Sequence, residues 1–342
     1  MAHKNIPIFI PHLGCPNMCV FCNQRSISGK TSFNRESVTG IIEEALKTID
    51  PEKDDAEIAF FGGSFTGIDR DDMLYLLKIA KEYIDKGKIG SVRLSTRPDY
   101  INEEILTILK NHGVKTIELG IQSLSDKVLS ASKRGHSSDD SKKACMLIKE
   151  YGFSLVGQMM LGLPSSNLED ELMTAEVLCK LRVDTVRIYP TAVFSNTELE
   201  CMRLSGEYTP LSVNEGAERA AKILMLIESY KIPCIRCGLQ AQENLSDSTV
   251  LTAGAYHPAF GSISLGKVMK LSVLEELHKH DIPPQVRPRQ VRFAVSPKRL
   301  FDAYGYKKEN KIFFLENYNI HVKFIADSSV HGYECKLLED TK

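Results

Sequence analysis

Short apolar runs, Gly- or Pro-marked loops and amphipathic stretches follow one another in a fixed order from Ile6 to about Cys237. Six runs rich in β-branched and aromatic residues read as strands: 6–10 (IPIFI), 56–61 (AEIAFF), 91–96 (SVRLST), 114–120 (VKTIELG), 153–161 (FSLVGQMML) and 184–190 (DTVRIYP). The segments between them, 36–49, 72–84, 103–112, 139–152 and 169–181, place apolar residues at helical spacing. A further helix–strand pair occupies 216–237. Strands alternating with helices at this spacing predict a parallel sheet with crossover helices. The number of units favours an α/β fold of the partial (β/α)6 TIM-like barrel type over a short doubly wound sheet. After about residue 240 the rhythm is lost, and a β-like stretch is read at 311–326. The expected division is a core of residues 1–240 and a small C-terminal α+β module of residues 241–342.

The unusual residues fall on one side of this pattern. Cys15, Cys19 and Cys22 follow the first strand, Gly62-Gly63-Ser64 the second and Thr96-Arg97-Pro98 the third. Gly120-Ile121-Gln122-Ser123, Gly162-Leu163-Pro164 and Tyr189-Pro190-Thr191 follow the next three. All lie at the C-terminal ends of predicted strands, the edge on which barrels build their sites.

Composition changes this picture little. A net charge of −1 and 43% hydrophobic residues give no global bias towards nucleic acid or membrane. No run of about 18 apolar residues is present, so no membrane partner is expected. Nine cysteines, an odd number clustered at one end, do not resemble a secreted disulfide framework. A reducing cytoplasm is the expected compartment.

Three thiols within eight residues need a chemical reason. Thiolates bind soft metals and iron–sulfur clusters. Structural zinc normally takes four ligands, which would make His12 the fourth, and a group of free thiols is the remaining alternative. A [4Fe–4S] cluster on three cysteines keeps one iron without a protein ligand. The spacing C-x3-C-x2-C, with Phe21 directly before the last cysteine, resembles the signature of the radical S-adenosylmethionine (SAM) superfamily. The resemblance implies a cluster on Cys15, Cys19 and Cys22 whose open iron chelates SAM. It further implies reductive cleavage to a 5′-deoxyadenosyl radical that abstracts hydrogen from a substrate, with electrons from a flavodoxin- or ferredoxin-type donor. FFGGSFTG (60–67) fits the same family, in which a Gly-Gly turn after the second strand meets the SAM amino group.

Later motifs narrow the branch. LSTRPDYI (94–101), IELGIQSLSDKVL (117–129), KRGH (133–136), MLGLP (160–164) and VRIYPTAV (186–193) resemble the radical-SAM portion of the Elongator catalytic subunit. The oxygen-independent coproporphyrinogen oxidase group is a more distant resemblance. Carried over, Gly62, Gly63 and Ser64 hold SAM, Gln122 its ribose and Arg134 its carboxylate. Phe21, Ser95 and Gln158 belong to the same cofactor-binding set. Ser95 and Gln158 stand where the two family patterns have carboxylates, so neutral hydrogen bonds are expected on the adenosine side. No glycine-rich acetyl-CoA loop is visible, so acetyl-CoA chemistry is not carried over.

Glu118 is expected inside the barrel, binding substrate or pairing with Arg187, and His136 is read as a surface or helix-start residue rather than a catalytic base. Cys234 and Cys237 read as a strand rather than a second redox motif. Between 267 and 325 twelve Lys/Arg face six Asp/Glu, interleaved with Phe and Tyr, a combination that RNA binding uses. A solvated face is the commoner meaning of such a run; taken with the Elongator resemblance, it makes a tRNA nucleoside the favoured substrate. A small-molecule, tetrapyrrole-type reaction and a non-catalytic Fe–S or haem carrier are the alternatives.

Overall fold

The computed structural model describes residues 2–10, 15, 19–23, 33–50, 53–240, 245 and 247–338. Its centre is a seven-stranded sheet in chain order: β1 (Ala2–Ile10), β2 (Asp54–Gly62), β3 (Ser91–Thr96), β4 (Val114–Gln122), β5 (Ser154–Leu161), β6 (Thr185–Pro190) and, at the far edge, β8 (Cys234–Cys237). A short strand, β7 (Ala192–Phe194), lies outside the sheet and pairs antiparallel with β9 (Leu251–Gly254). All neighbours in the large sheet run parallel, and its two edge strands do not pair with each other. The architecture is a curled half-barrel with a small C-terminal module.

Alternation along the strands decides what lies on each face. Ile6 and Ile8, Ile58 and Phe60, Val92 and Leu94, Ile117 and Leu119 point outward and are fully buried under the crossover helices. Each such side chain contributes roughly 1.5–3 kcal/mol by leaving water. The helices are α1 (Val38–Leu46), α2 (Arg70–Asp85), α3 (Glu103–Asn111), α4 (Asp126–Ala131), α5 (Ser138–Glu150), α6 (Leu168–Lys180), α7 (Glu198–Leu204) and α8 (Val213–Ser229). Their starts are written in the sequence. Asn102 caps α3, while Ser137 with Asp140, Asn167 with Asp170 and Ser212 with Glu215 form reciprocal capping boxes on α5, α6 and α8. Each cap is worth about 1 kcal/mol.

The long helix α9 (Phe260–Lys279) joins barrel and module. Ile263 and Val268 are buried in the barrel core, whereas Met269, Val273 and Leu277 are buried in the module core. The module is a three-stranded sheet, β10 (Arg289–Val295) between parallel β11 (Ile320–Ala326) and antiparallel β12 (Cys335–Leu337). Helices α10 (Leu300–Tyr304) and α11 (Glu309–Tyr318) cross between β10 and β11.

This corrects the reading of 311–326 as one β-like stretch: its first half is helical. Parallel pairing of β10 and β11 requires a crossover, and Asn319, in the left-handed conformation at φ 54°, ends the helix just before the strand starts. His136, expected near the surface, is buried at 8% exposure, because the turn before α5 folds it against Arg134 and Ser141. Among the described residues no helix is long and apolar enough to cross a membrane.

Candidate functional site

The strand ends converge as the pattern requires. Gly62 has φ +114°, and a Cβ there would stand 2.5 Å from the Ile10 carbonyl oxygen, so only glycine lets this loop cross the end of β1. Gly63 N–H donates to the same carbonyl at 2.8 Å. The next residue then faces two ways. Its backbone N–H is aimed at the Cys15 thiol, while the buried Ser64 hydroxyl pairs with Thr96 Oγ1 at 2.9 Å and accepts from Arg97 N–H at 3.3 Å. Thr66 also meets Thr96 Oγ1, at 2.6 Å. This hydroxyl cluster ties the glycine loop to the end of β3.

Two buried guanidinium groups meet at Cys19. Arg134 Nη1 donates to its Sγ at 3.2 Å, and Arg97 Nη1 approaches it at 3.9 Å. Arg97 is held in place by a two-pronged pair with Asp99, 2.9 Å on both arms, and donates to the Arg134 carbonyl. Arg134 Nη2 donates to the Gly120 carbonyl. Burial pushes the Cys15 thiol up; the positive charge of Arg97 and the Ser64 N–H pull it back down. The pocket thus holds cationic donors around thiols, a setting that favours thiolate once a metal displaces the proton.

The cysteine loop is anchored by its apolar residues. Val20, half-buried Phe21, Val193, Leu199 and Tyr208 form a small cluster of their own. Val20 N–H donates to Ser132 O at 3.3 Å and its carbonyl accepts from Leu199 N–H at 2.8 Å. Asn23 Nδ2 donates to Ser195 O at 3.1 Å. His12, weighed as a zinc ligand, lies outside the described residues. Cys15, Cys19 and Cys22 form no disulfide, and among the described residues no three His, Cys, Asp or Glu side chains stand close enough to hold one metal ion.

On the barrel's inner wall, Gln122 has φ 67° and accepts from Gln158 Nε2 at 3.3 Å. A Cβ on Gly120 would come to 3.1 Å from Gln122 Nε2 and 3.6 Å from Arg134 Nη2, so glycine keeps the space between these two side chains open. Ser95 reaches towards Glu118 at 3.5 Å. Glu118, 1% exposed, pairs with Arg187 at 2.9 Å and Arg93 at 3.2 Å. Burial pushes its carboxyl up against the pull of both arginines. Arg93 continues to Glu57 at 2.7 Å, and Glu57 to His3 at 2.9 Å.

The expected burial of Glu118 and its pair with Arg187 are found, but sequence reasoning did not extend the ribbon to Arg93, Glu57 and His3, nor single out Arg97 as a group touching Cys19. A signal existed: strands of a parallel sheet are usually apolar on both faces, and Glu57, Arg93, Glu118 and Arg187 interrupt that at period two. Cys145 and Cys179 are buried on helices, Cys201 is exposed on α7, and Cys234 and Cys237 belong to β8.

Comparison with known proteins agrees with this geometry. The sequence model of the radical SAM superfamily matches residues 9–178, and that of the Radical_SAM C-terminal domain matches residues 183–270. The chain belongs to the radical SAM superfamily. An uncharacterized protein of Methanocaldococcus jannaschii is 31% identical over 66% of this chain and 72% of its own length. The tRNA uridine(34) acetyltransferase of Methanocaldococcus infernus is 35% identical over 39% of this chain and 26% of its own length. Elongator complex protein 3 of Homo sapiens is 24% identical over 82% of this chain and 59% of its own length. The chain therefore spans between a quarter and three fifths of these last two relatives. The solved archaeal Elp3 of Methanocaldococcus infernus, lacking its N-terminus, superposes with a TM-score of 0.58 at 21% identity, covering 85% of this chain and 66% of that one. That likeness establishes the shared fold.

Proposed function

We propose that the protein is a radical SAM enzyme that acts on a tRNA nucleoside, with a [4Fe–4S] cluster on Cys15, Cys19 and Cys22 and SAM beside it. The observation that carries this reading is the convergence of the Ser64 N–H, Arg97 and Arg134 on Cys15 and Cys19. The donor set fits the group in chemical kind: three cysteines outside any disulfide, cationic hydrogen-bond donors, and a glycine-cleared space at Gly120. When bound, the cluster and SAM together supply a 5′-deoxyadenosyl radical for hydrogen abstraction.

The chain's own residues bind and orient. Gly62, Gly63 and Ser64 present backbone to the SAM amino group. The unpartnered Arg134 Nε adds a donor for the SAM carboxylate, a charge-assisted contact. Gln122, fixed by Gln158, takes the ribose, while Ser95 and Phe21 border the cofactor. The hydroxyl cluster of Ser64, Thr66 and Thr96 keeps the glycine loop rigid against the cysteine loop.

Support for RNA comes from the module. Arg287, Arg289, Lys298, Lys307 and Lys308 are exposed there, and Phe301 stands 87% exposed among them, a ring free to stack on a base. The relative named a tRNA uridine(34) acetyltransferase points the same way. Electrons would come from a flavodoxin- or ferredoxin-type donor in the cytoplasm.

The test is anaerobic incubation of the reconstituted protein with dithionite and SAM, with and without bulk tRNA, reading 5′-deoxyadenosine. Formation stimulated by tRNA is the expected result. Formation indifferent to tRNA would move the substrate to small molecules. SAM bound but never cleaved, on a full cluster, would replace the enzyme with a carrier.

A further inference from the structure

We propose that Arg187, Tyr189 and Arg236 form a phosphate-binding site on the inner wall of the half-barrel, seating a phosphate of the substrate. It rests on the tRNA reading above and specifies which side chains that substrate would meet.

The argument starts from charge order across the strands. Glu57, Arg93, Glu118 and Arg187 form a chain of ion pairs on the inner face, crossing from β2 to β6 with alternating sign. On the last strand the alternation fails. Arg236 of β8 stands opposite Arg187 in the β6–β8 register, with a register shift just before it. Two guanidinium groups are then neighbours where the pattern would put a carboxylate, an arrangement that is destabilising by itself. Among the described residues Arg236 has no ion-pair or hydrogen-bond partner for its side chain. At this end of the inner face Arg187 shares Glu118 with Arg93, and Arg236 stands next to it on the edge strand without a carboxylate of its own among the described residues.

Donors are free at the same spot. Arg187 gives Nη1 to Glu118 at 2.9 Å and to the Tyr189 hydroxyl oxygen at 3.4 Å, while its buried Nε has no partner. The Tyr189 oxygen thus already accepts, so its proton is left to donate elsewhere. Burial pushes the phenol up, and it stays protonated at neutral pH despite the nearby charges of Arg187 and Arg236. Arg187 Nε and the Tyr189 O–H on β6 and the Arg236 guanidinium on β8 leave several donors for one acceptor on this face. A tetrahedral phosphate uses that arrangement more fully than a planar carboxylate. Its negative charge also supplies the sign missing from the ribbon.

The experiment is equilibrium binding of bulk tRNA and of uridine 5′-monophosphate to the cluster-loaded protein across a range of KCl. It compares wild type, Arg236→Gln, Arg236→Lys and Tyr189→Phe. Arg236 is partly exposed, unpaired and beside a like charge, so Arg236→Gln should lower neither the melting temperature nor the iron content. The expected result is an affinity loss of about tenfold in Arg236→Gln, the scale of one charged hydrogen bond. The logarithmic salt slope for tRNA should also fall by about one, with incomplete rescue by lysine. Loss for the mononucleotide with unchanged tRNA binding would keep the site and overturn its RNA source, making the substrate a small phosphate ester. Identical binding of both probes by wild type and all three variants, or no binding of either probe by wild type, would overturn the site itself, whatever the 5′-deoxyadenosine assay gives.

Discussion

At the scale of single residues, buried polar groups carry the strongest consequences. His136 is held neutral: burial first, then the neighbouring Arg134, lower its pKa from 6.5 to about 4. The unfolded chain therefore takes up the proton first as pH falls. The neutral ring's full contribution is present above about pH 6.5 and is lost progressively down to about pH 4. By about pH 5 the wild type should have lost roughly 2 kcal/mol relative to pH 7 through this group alone. Urea unfolding of wild type and His136→Gln at both pH values measures it, and a stability difference between the two proteins that does not change with pH would sink the assignment. Arg97 gives a second expectation. Its pair with Asp99 is buried on the arginine side and about a quarter exposed on the other, so Arg97→Gln should cost about 2 kcal/mol rather than the 3–5 of a fully buried pair. It should also lower the iron retained per chain after reconstitution, because Arg134 loses the group that fixes its backbone beside Cys19. The cysteines were legible because three ligands in one loop are a local pattern. The guanidinium groups at Cys19 come from 78 and 115 residues away, and no local spacing announces such a meeting.

At the scale of elements, most helices and strands could be read because their two periods, and the caps Asn102, Ser137, Asn167 and Ser212, agree with where the chain folds. Only the 311–326 stretch was misread, where aromatic residues favour strands by propensity while the parallel pairing of β10 and β11 demands a helix between them. The antiparallel β7–β9 pair was equally invisible, since strands of three and four residues, far apart in the chain, carry too little pattern. Its weak point is a glycine. Gly254 has φ +102°, and a Cβ there would lie 2.6 Å from Thr191 O and 2.9 Å from Ala192 Cα, both backbone atoms with little room to move. Gly254→Ala should cost more than the ~1–2 kcal/mol of a left-handed alanine alone. Because Val193 and half-buried Ala253 pack in the cluster that anchors Val20 and Phe21, the same change should loosen the cysteine loop. Chemical denaturation and the rate of anaerobic iron loss to a chelator report the two effects. A variant losing stability at an unchanged iron-loss rate would uncouple the β7–β9 pair from the cysteine loop.

At the scale of the whole molecule, α9 contributes buried side chains to two hydrophobic cores. A sequence boundary near residue 240 separates a rhythmic half from an irregular one, yet the helix that follows is buried at one end in the barrel core and at the other in the module core. We propose that neither core unfolds alone. Phe293, fully buried in the module 6.0 Å from Phe324, is the site from which to test it. Phe293→Ala should destabilise by about 3–5 kcal/mol through lost transfer energy and the cavity left behind. Thiols already in place report where that loss is felt. Cys335 is buried in the module, Cys145 in the barrel core, and Cys237 lies beside Ser264 of α9, its thiol pushed up by burial. If α9 couples the cores, alkylation of Cys335, Cys237 and Cys145, resolved by peptide mapping, should accelerate by the same factor in Phe293→Ala. That factor should be of order a hundred or more, one decade for each 1.4 kcal/mol when opening is fast and reversible. Acceleration confined to Cys335 would mean that the module opens by itself and that α9 is a hinge rather than a shared spine.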